Sequence, residues 1–167
     1  MTAPMLPDLA LVFPQAERVL ELAQQRPLRT VATAESCTGG LLAAALTAVP
    51  GSSNFFLGGV VAYANFTKSE ALGVPEPVLA AHGAVSGEVA AAMAWGVRDR
   101  LGSTVGLATT GVAGPSASES KPAGLIYVAL AGPAGLELRR LDQDRGRNGN
   151  RVAAVMAALE LLLVALG

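Results

Sequence analysis

Thr30-Val31-Ala32-Thr33-Ala34-Glu35-Ser36-Cys37-Thr38-Gly39-Gly40, running into Leu41-Leu42-Ala43-Ala44-Ala45-Leu46, decides the fold class. An apolar, β-branched run breaks into small hydroxyl and thiol residues, passes two glycines and resumes with strong helix formers. This reads as strand, tight turn and helix. Such a unit lifts the turn to the carboxyl edge of a sheet and aims backbone N–H groups at one point. A hydroxyl there meets an electrophile, and the N–H groups hold a developing oxyanion or a phosphate. Ser36 is therefore the first candidate for chemistry. The N–H groups of Cys37, Thr38, Gly39 and Gly40 are the candidate anion holders.

Outward from this unit the pattern continues in kind. Residues 1–13, with Pro4 and Pro7, show no period and are expected to form a loose arm ahead of a single domain over 14–167. Pro14 opens a helix whose Ala16, Val19, Leu20 and Ala23 share one face, and Pro27 ends it. The first strand is expected over Leu28–Glu35 and the next helix from Gly39 to Ala48. Phe55–Tyr63 reads as a strand bending at Gly58-Gly59. Asn65 is placed to cap a short helix through Leu72. After the loop Gly73–Pro77 and a further short helix, Ser86 caps a long one. Its Val89, Met93, Val97 and Leu101 recur every four residues, and Gly102 stops it. Thr104–Thr110 is a strand ending in Thr110-Gly111-Val112-Ala113-Gly114-Pro115. Beyond the polar loop Ser116–Pro122, Gly124–Ala131 and Leu136–Leu141 read as a hairpin around Gly132-Pro133-Ala134-Gly135. Val152, Val155, Met156, Leu159, Leu162, Leu163 and Leu166 share one face of a last helix. The order predicts a three-layer α/β/α domain with a mixed, mainly parallel sheet.

Composition narrows the function classes. The chain has 167 residues, 51% of them hydrophobic and 15% charged, with a net charge of −1. That suits one domain with a sizeable core and gives no nucleic-acid surface. One cysteine and one histidine exclude an internal disulfide and a Cys/His metal cluster. No basic region precedes an apolar core at the N-terminus, so no signal peptide is read. Val152–Leu166 contains Glu160 and is short for a membrane span, so it is read as a packed helix. A cytoplasmic compartment without a membrane partner is expected. The apolar last helix and the small size point to a homo-oligomer.

Serine is a weak nucleophile until a base takes its proton. His82 precedes Gly83 and reads as a helix C-terminal residue. Lys68 and Lys121 are the only lysines. Lys68 follows the exit of the second strand, where desolvation would make it a neutral base. Tyr63 at that exit brings a phenol to the same cleft. By pattern alone Lys68 also fits a surface helix position and Tyr63 a packing position. The turn Thr110–Gly114, with Gly111, is a second anion-holding candidate. Arg145, after the last strand, suits bidentate contact with a phosphate or carboxylate, and by pattern alone also fits a solvated loop charge. Cys37 is an alternative nucleophile or a small buried packing residue.

Six stretches taken together resemble the C-terminal domain family of CinA, the nicotinamide-nucleotide amidases. They are Ala34-Glu35-Ser36-Cys37-Thr38-Gly39-Gly40, Pro50-Gly51-Ser52-Ser53, Gly58-Gly59-Val60-Val61-Ala62-Tyr63-Ala64-Asn65, His82-Gly83-Ala84-Val85-Ser86, Thr110-Gly111-Val112-Ala113-Gly114-Pro115 and Lys121-Pro122-Ala123-Gly124. The resemblance spans roughly residues 15–166. It implies hydrolysis of the carboxamide of nicotinamide mononucleotide to nicotinate mononucleotide and ammonia, with no metal and no cofactor. It puts the nucleophile on Ser36, the base on Lys68 and an assisting phenol on Tyr63. It puts the threonine of the glycine turn on Thr110 and the arginine after the last strand on Arg145. The N–H groups of Cys37–Gly40 are expected to hold the oxyanion, and Arg145 with the turn Thr110–Gly114, including Gly111 and Gly114, to hold the phosphate. Two departures stand out: Ser116-Ala117-Ser118 replaces the family's glycine run, and Gly146-Arg147-Asn148-Gly149-Asn150 opens the last helix. A stand-alone amidase domain acting on a small nucleotide is expected. A nucleotide-binding module without chemistry is the alternative.

Overall fold

The computed structural model describes residues 5, 7–25 and 29–167. Pro4, Pro27 and Leu28, which entered the sequence reading, lie outside the described residues. In chain order the elements are α1 (Leu9–Val12), α2 (Gln15–Gln25), β1 (Val31–Glu35), α3 (Leu41–Thr47), β2 (Phe56–Val61), α4 (Asn65–Leu72), α5 (Glu76–His82), α6 (Gly87–Leu101), β3 (Val105–Gly111), β4 (Leu125–Gly132), β5 (Gly135–Asp142) and α7 (Gly146–Leu166). The five strands form one sheet in the order β2-β1-β3-β4-β5. β1 pairs in parallel with both β2 and β3, whereas β3–β4 and β4–β5 are antiparallel. The sheet is thus evenly mixed, and its parallel half carries Ser36 at the carboxyl end of β1.

The strands present two unlike faces, because successive side chains point to opposite sides. Val31, Val105, Leu107, Ile126, Val128 and Leu130 pack against α2, α3 and α7. Ala32, Ala34, Ala108, Ala129 and Ala131 meet α4 and α6 instead. Small residues on that side let helix backbone come down onto the sheet. A Cβ on Gly106 would lie 2.0 Å from Ala94 O, and one on Gly96 would lie 2.0 Å from Leu72 O. This close packing draws α4, which carries Lys68, towards the end of β1.

Most of the expected elements are present. α2 buries Ala16, Val19, Leu20 and Ala23, the four residues of the expected face. Ser86 caps α6, its hydroxyl accepting from Val89 N–H, and Gly102 ends that helix in the left-handed conformation. Leu101, placed on the buried face by its spacing, is instead exposed. α7 is long and apolar enough to cross a membrane by length and composition, yet half of its most apolar window is buried inside the fold. Leu159 and Leu162 are fully buried there, and truncating either to Ala costs about 2–5 kcal/mol.

Four local differences have physical causes. The arm expected over 1–13 holds a helical turn, α1, capped by Asp8, and ends in the fully buried Phe13. β2 carries a bulge, since Val31 pairs with Phe56 and Ala32 with Gly58, leaving Leu57 unopposed. Asn65 is the first residue of α4 and makes no cap bond; the cap position is Ala64, whose carbonyl accepts from the Thr67 hydroxyl. α7 begins at Gly146, well ahead of Val152. There Asp144 Oδ1 accepts from Gly146 N–H and from Asn150 Nδ2, both at 2.9 Å, and Asn150 Oδ1 accepts from Arg145 N–H. The glycine-rich stretch is therefore a capping network. Its hydrogen bonds, from Asn150 first and then Gly146, hold the Asp144 carboxyl below its ordinary value.

Candidate active site

The carboxyl ends of β1, β2 and β3 open onto one cavity of about 270 Å³. Strand order reverses between β1 and β3, which is where open α/β sheets leave a crevice for ligands. Ser36 and Cys37 reach the cavity from β1, Tyr63 from beyond β2, Lys68 from α4, and Thr110–Gly114 from the end of β3. Ser116, Ser118, Glu119 and Arg147 close the far side. Among the described residues, no group of three or more His, Cys, Asp or Glu side chains comes together to hold a metal.

Ser36 continues the β1–β3 ladder one residue further, its N–H donating to Thr109 O at 2.9 Å. Its hydroxyl is 3.0 Å from Lys68 Nζ. Lys68 is 1% exposed, and its amine also donates to Ala62 O at 2.9 Å and Tyr63 O at 3.1 Å. The two carbonyls can only accept. A charged ammonium fills all three contacts by donating. A neutral amine has two hydrogens, gives both to the carbonyls, and turns its lone pair to the serine hydroxyl. Burial pushes the Lys68 pKa below the ordinary lysine value, opposed by the charge of Glu119. Desolvation therefore favours the neutral form, which can take a proton, and the two carbonyls fix where its lone pair points.

The turn after Ser36 is organised by Glu35, a residue that the sequence reading gave no role. Its carboxylate is 1% exposed. Oε2 accepts from Gly40 N–H and Leu42 N–H, each at 3.0 Å, and from the Thr38 hydroxyl at 2.6 Å. Oε1 accepts from Ala43 N–H at 2.8 Å. The positive end of α3 is thus filled by the protein's own carboxylate. Gly39 N–H goes to Ser36 O and Leu41 N–H to Thr38 O. This corrects the expected anion cradle: Thr38, Gly39 and Gly40 do not line the cavity, and Thr38 is fully buried. Of the turn, Cys37 faces the cavity.

The remaining predicted residues divide. Thr110 and Gly111 line the cavity, but the Thr110 hydroxyl donates to Ala84 O at 2.7 Å. Gly111 is small because β4 presses on it: a Cβ there would lie 2.6 Å from Ile126 Cγ1. Tyr63 gives Lys68 its carbonyl, while its phenol, on a side chain facing solvent, accepts from Arg147 at 3.2 Å. Arg147 also donates to Gly114 O at 2.8 Å and so bridges the cavity mouth. Arg145 does not line the cavity; its guanidinium folds back onto Gln143. Arg147 rather than Arg145 lines the cavity because α7 starts at Gly146 and turns Arg147 towards it. Arg151, one turn further along α7, donates to Thr38 O at 3.0 Å and ties the serine turn to the helix. Cys37 is buried, and that burial pushes its thiol up to about 12, so it supplies no thiolate at neutral pH. His82 ends α5 and lies 3.5 Å from Glu88, away from Ser36.

A sequence model of the CinA C-terminal domain matches residues 13–166. The chain belongs to the CinA C-terminal domain family. A CinA-like protein of Frankia casuarinae is 58% identical over 146 residues, which is 86% of this chain and 33% of that protein. A putative competence-damage inducible protein of Desulforamulus reducens is 52% identical over 79% of this chain and 32% of its own length. This CinA domain thus spans about a third of the length of the curated relatives it matches. Among solved structures, a competence/damage inducible protein from Agrobacterium tumefaciens superposes with a TM-score of 0.86 at 38% identity, covering 99% of both chains. A CinA superfamily protein from Klebsiella pneumoniae gives 0.88 at 33% identity over 93% of this chain and 97% of its own. These names speak of competence and damage and specify no reaction for the CinA domain.

Proposed function

We propose that this domain hydrolyses the carboxamide of nicotinamide mononucleotide to nicotinate mononucleotide and ammonia. The observation that carries this reading is Lys68 Nζ, buried and fixed by two carbonyls, 3.0 Å from Ser36 Oγ. In this mechanism the neutral amine takes the Ser36 proton as Oγ forms a bond to the amide carbon. The tetrahedral oxyanion meets the N–H of Cys37, the residue of the turn that lines the cavity beside Ser36. The Lys68 ammonium then gives its proton to the amide nitrogen, the C–N bond breaks and ammonia leaves. A nicotinoyl ester remains on Ser36. Lys68 next takes a proton from water, the hydroxide cleaves the ester, and the proton returns to Oγ.

Arg147 is the group we assign to the phosphate, since its guanidinium crosses the cavity mouth. Arg145 has no such position. The test is ammonia release from nicotinamide mononucleotide by the wild type, Ser36→Ala and Lys68→Ala. Each substitution is expected to lower kcat/KM by about a thousandfold or more while the fold survives. Undiminished turnover by Ser36→Ala, or saturable binding by the wild type without ammonia release, contradicts this reading. The second result is the behaviour of a nucleotide-binding module without chemistry.

A further inference from the structure

The strap over residues 116–122 contains a turn that the serine and lysine do not explain. Ser118 N–H donates to Lys121 O at 3.0 Å, and Lys121 N–H returns a bond to Ser118 O at 2.8 Å. Between them, Glu119 and Ser120 have φ of 52° and 58°. A two-residue turn with both central residues left-handed ordinarily takes Asn-Gly or Asp-Gly. Strained backbone of this kind persists where its surroundings over-determine it, and it clusters at functional sites. Here the carboxylate of Glu119 fastens the turn. Oε1 accepts from Ala84 N–H and Oε2 from Val85 N–H, each at 3.3 Å. Lys121 Nζ is 3.7 Å from Oε2, while it donates to the carbonyls of His82 and Val85. Gly83 leaves the space: a Cβ there would lie 2.7 Å from Oε2.

The carboxylate held this way belongs to the wall of the cavity that contains Ser36 and Lys68. Its two N–H bonds are long, and a carboxylate has about four lone-pair sites, so acceptor capacity remains. Among the described lining residues Glu119 is the one carboxylate and Arg147 the one guanidinium. Its charge is also felt at the Lys68 amine.

We propose that Glu119 determines specificity by recognising the positive charge of an N-alkylated pyridinium ring. The inference rests on the amidase reading above. In that substrate the carboxamide sits on a ring whose alkylated nitrogen carries a formal positive charge, and a phosphate lies at the far end. A cavity with one carboxylate and one guanidinium matches a ligand with one cation and one anion. Opposite charges attract far more strongly in a partly dry cavity than in water. Glu119 therefore favours the cationic ring over a neutral ring of nearly the same shape.

The test uses nicotinamide mononucleotide and its reduced dihydropyridine form, which keeps the carboxamide, ribose and phosphate but loses the ring charge. Calorimetry on Ser36→Ala protein gives both dissociation constants without turnover, with Glu119 intact and with Glu119→Gln. The substitution is expected to weaken the cationic ligand about tenfold and the reduced one less than about twofold. Glu119→Asp keeps the charge and is expected to keep most of the preference. Equal weakening of both ligands by Glu119→Gln, no change in either, or loss of the preference in both variants alike overturns the role of Glu119. If the wild type releases ammonia while any of these results is found, only this inference fails. If the wild type releases none, the amidase reading fails and takes this inference with it.

Discussion

Glu35 and Lys68 are both 1% exposed at the carboxyl end of β1, yet they are used in opposite ways. Glu35 is saturated: three backbone N–H groups and the Thr38 hydroxyl converge on its two oxygens. It neutralises the N-terminus of α3 and fixes the turn that carries Ser36. Lys68 faces two carbonyls that can accept but not donate, and its third contact is the serine hydroxyl. The same depth of burial thus yields a structural pin in one case and a reactive amine in the other. What separates them is the set of partners: donors converge on both oxygens of Glu35, whereas burial pushes the Lys68 pKa below the ordinary lysine value.

This contrast is broken most sharply by exchanging rate for stability. Lys68→Met keeps the unbranched stem of the side chain and removes the base. Ammonia release from nicotinamide mononucleotide is expected to fall about a thousandfold or more, while cooperative unfolding in urea persists. Glu35→Ala leaves several buried N–H groups without an acceptor. The expected loss is about 3 kcal/mol or more of unfolding free energy, read from the urea midpoint. A loss below about 1 kcal/mol would show that the α3 N-terminus does not depend on the carboxylate.

The pH dependence sharpens the same comparison. Only the neutral amine takes the serine proton, so kcat/KM rises with pH through the Lys68 pKa. Burial lowers that pKa from 10.5, so the midpoint of the rise lies below the ordinary lysine range. Stability follows the same sign. Between the lowered native pKa and the ordinary value of the unfolded chain, the unfolded state holds more protons, so stability increases with pH across that window. Lys68→Met should remove this increase. A rate that still climbs with pH through the ordinary lysine range speaks against the assignment. The smallest effect concerns the two arginines. Arg147→Ala is expected to raise KM for the phosphate-bearing substrate about tenfold, and Arg145→Ala less than about twofold. Equal effects would place the phosphate elsewhere.

Much of this was legible from the order of residue types. The β-branched run ending in Glu35-Ser36, the buried Val89, Met93 and Val97 of α6, the Ser86 cap and most of the apolar stripe of α7 follow from local periodicity and are present, whereas Leu101 and Met156, placed on those faces by spacing, are exposed. The juxtaposition of Ser36 and Lys68 came from the family resemblance, because no local pattern records a contact across 32 positions. Glu35 was hidden for a different reason: an acid before a helix reads as a solvated charge until the chain is seen folding it back under the helix end. A carboxylate five residues ahead of a glycine-opened helix was the available signal. Arg147 was missed because Gly146-Arg147-Asn148-Gly149-Asn150 looks like a breaker, whereas Asp144 and Asn150 turn it into the first turns of α7. The strained turn at Glu119 leaves no trace in composition, since it is set by contacts with the α5–α6 connection.

The central claim is that Lys68 holds a lone pair towards Ser36 at working pH. Carbon NMR of protein labelled at the lysine ε-carbon reads this directly, since the chain has two lysines and Lys68→Met identifies the resonance. The account predicts that the Lys68 signal titrates below the range of a free lysine side chain. Titration within or above that range would leave an ammonium beside the serine and contradict it.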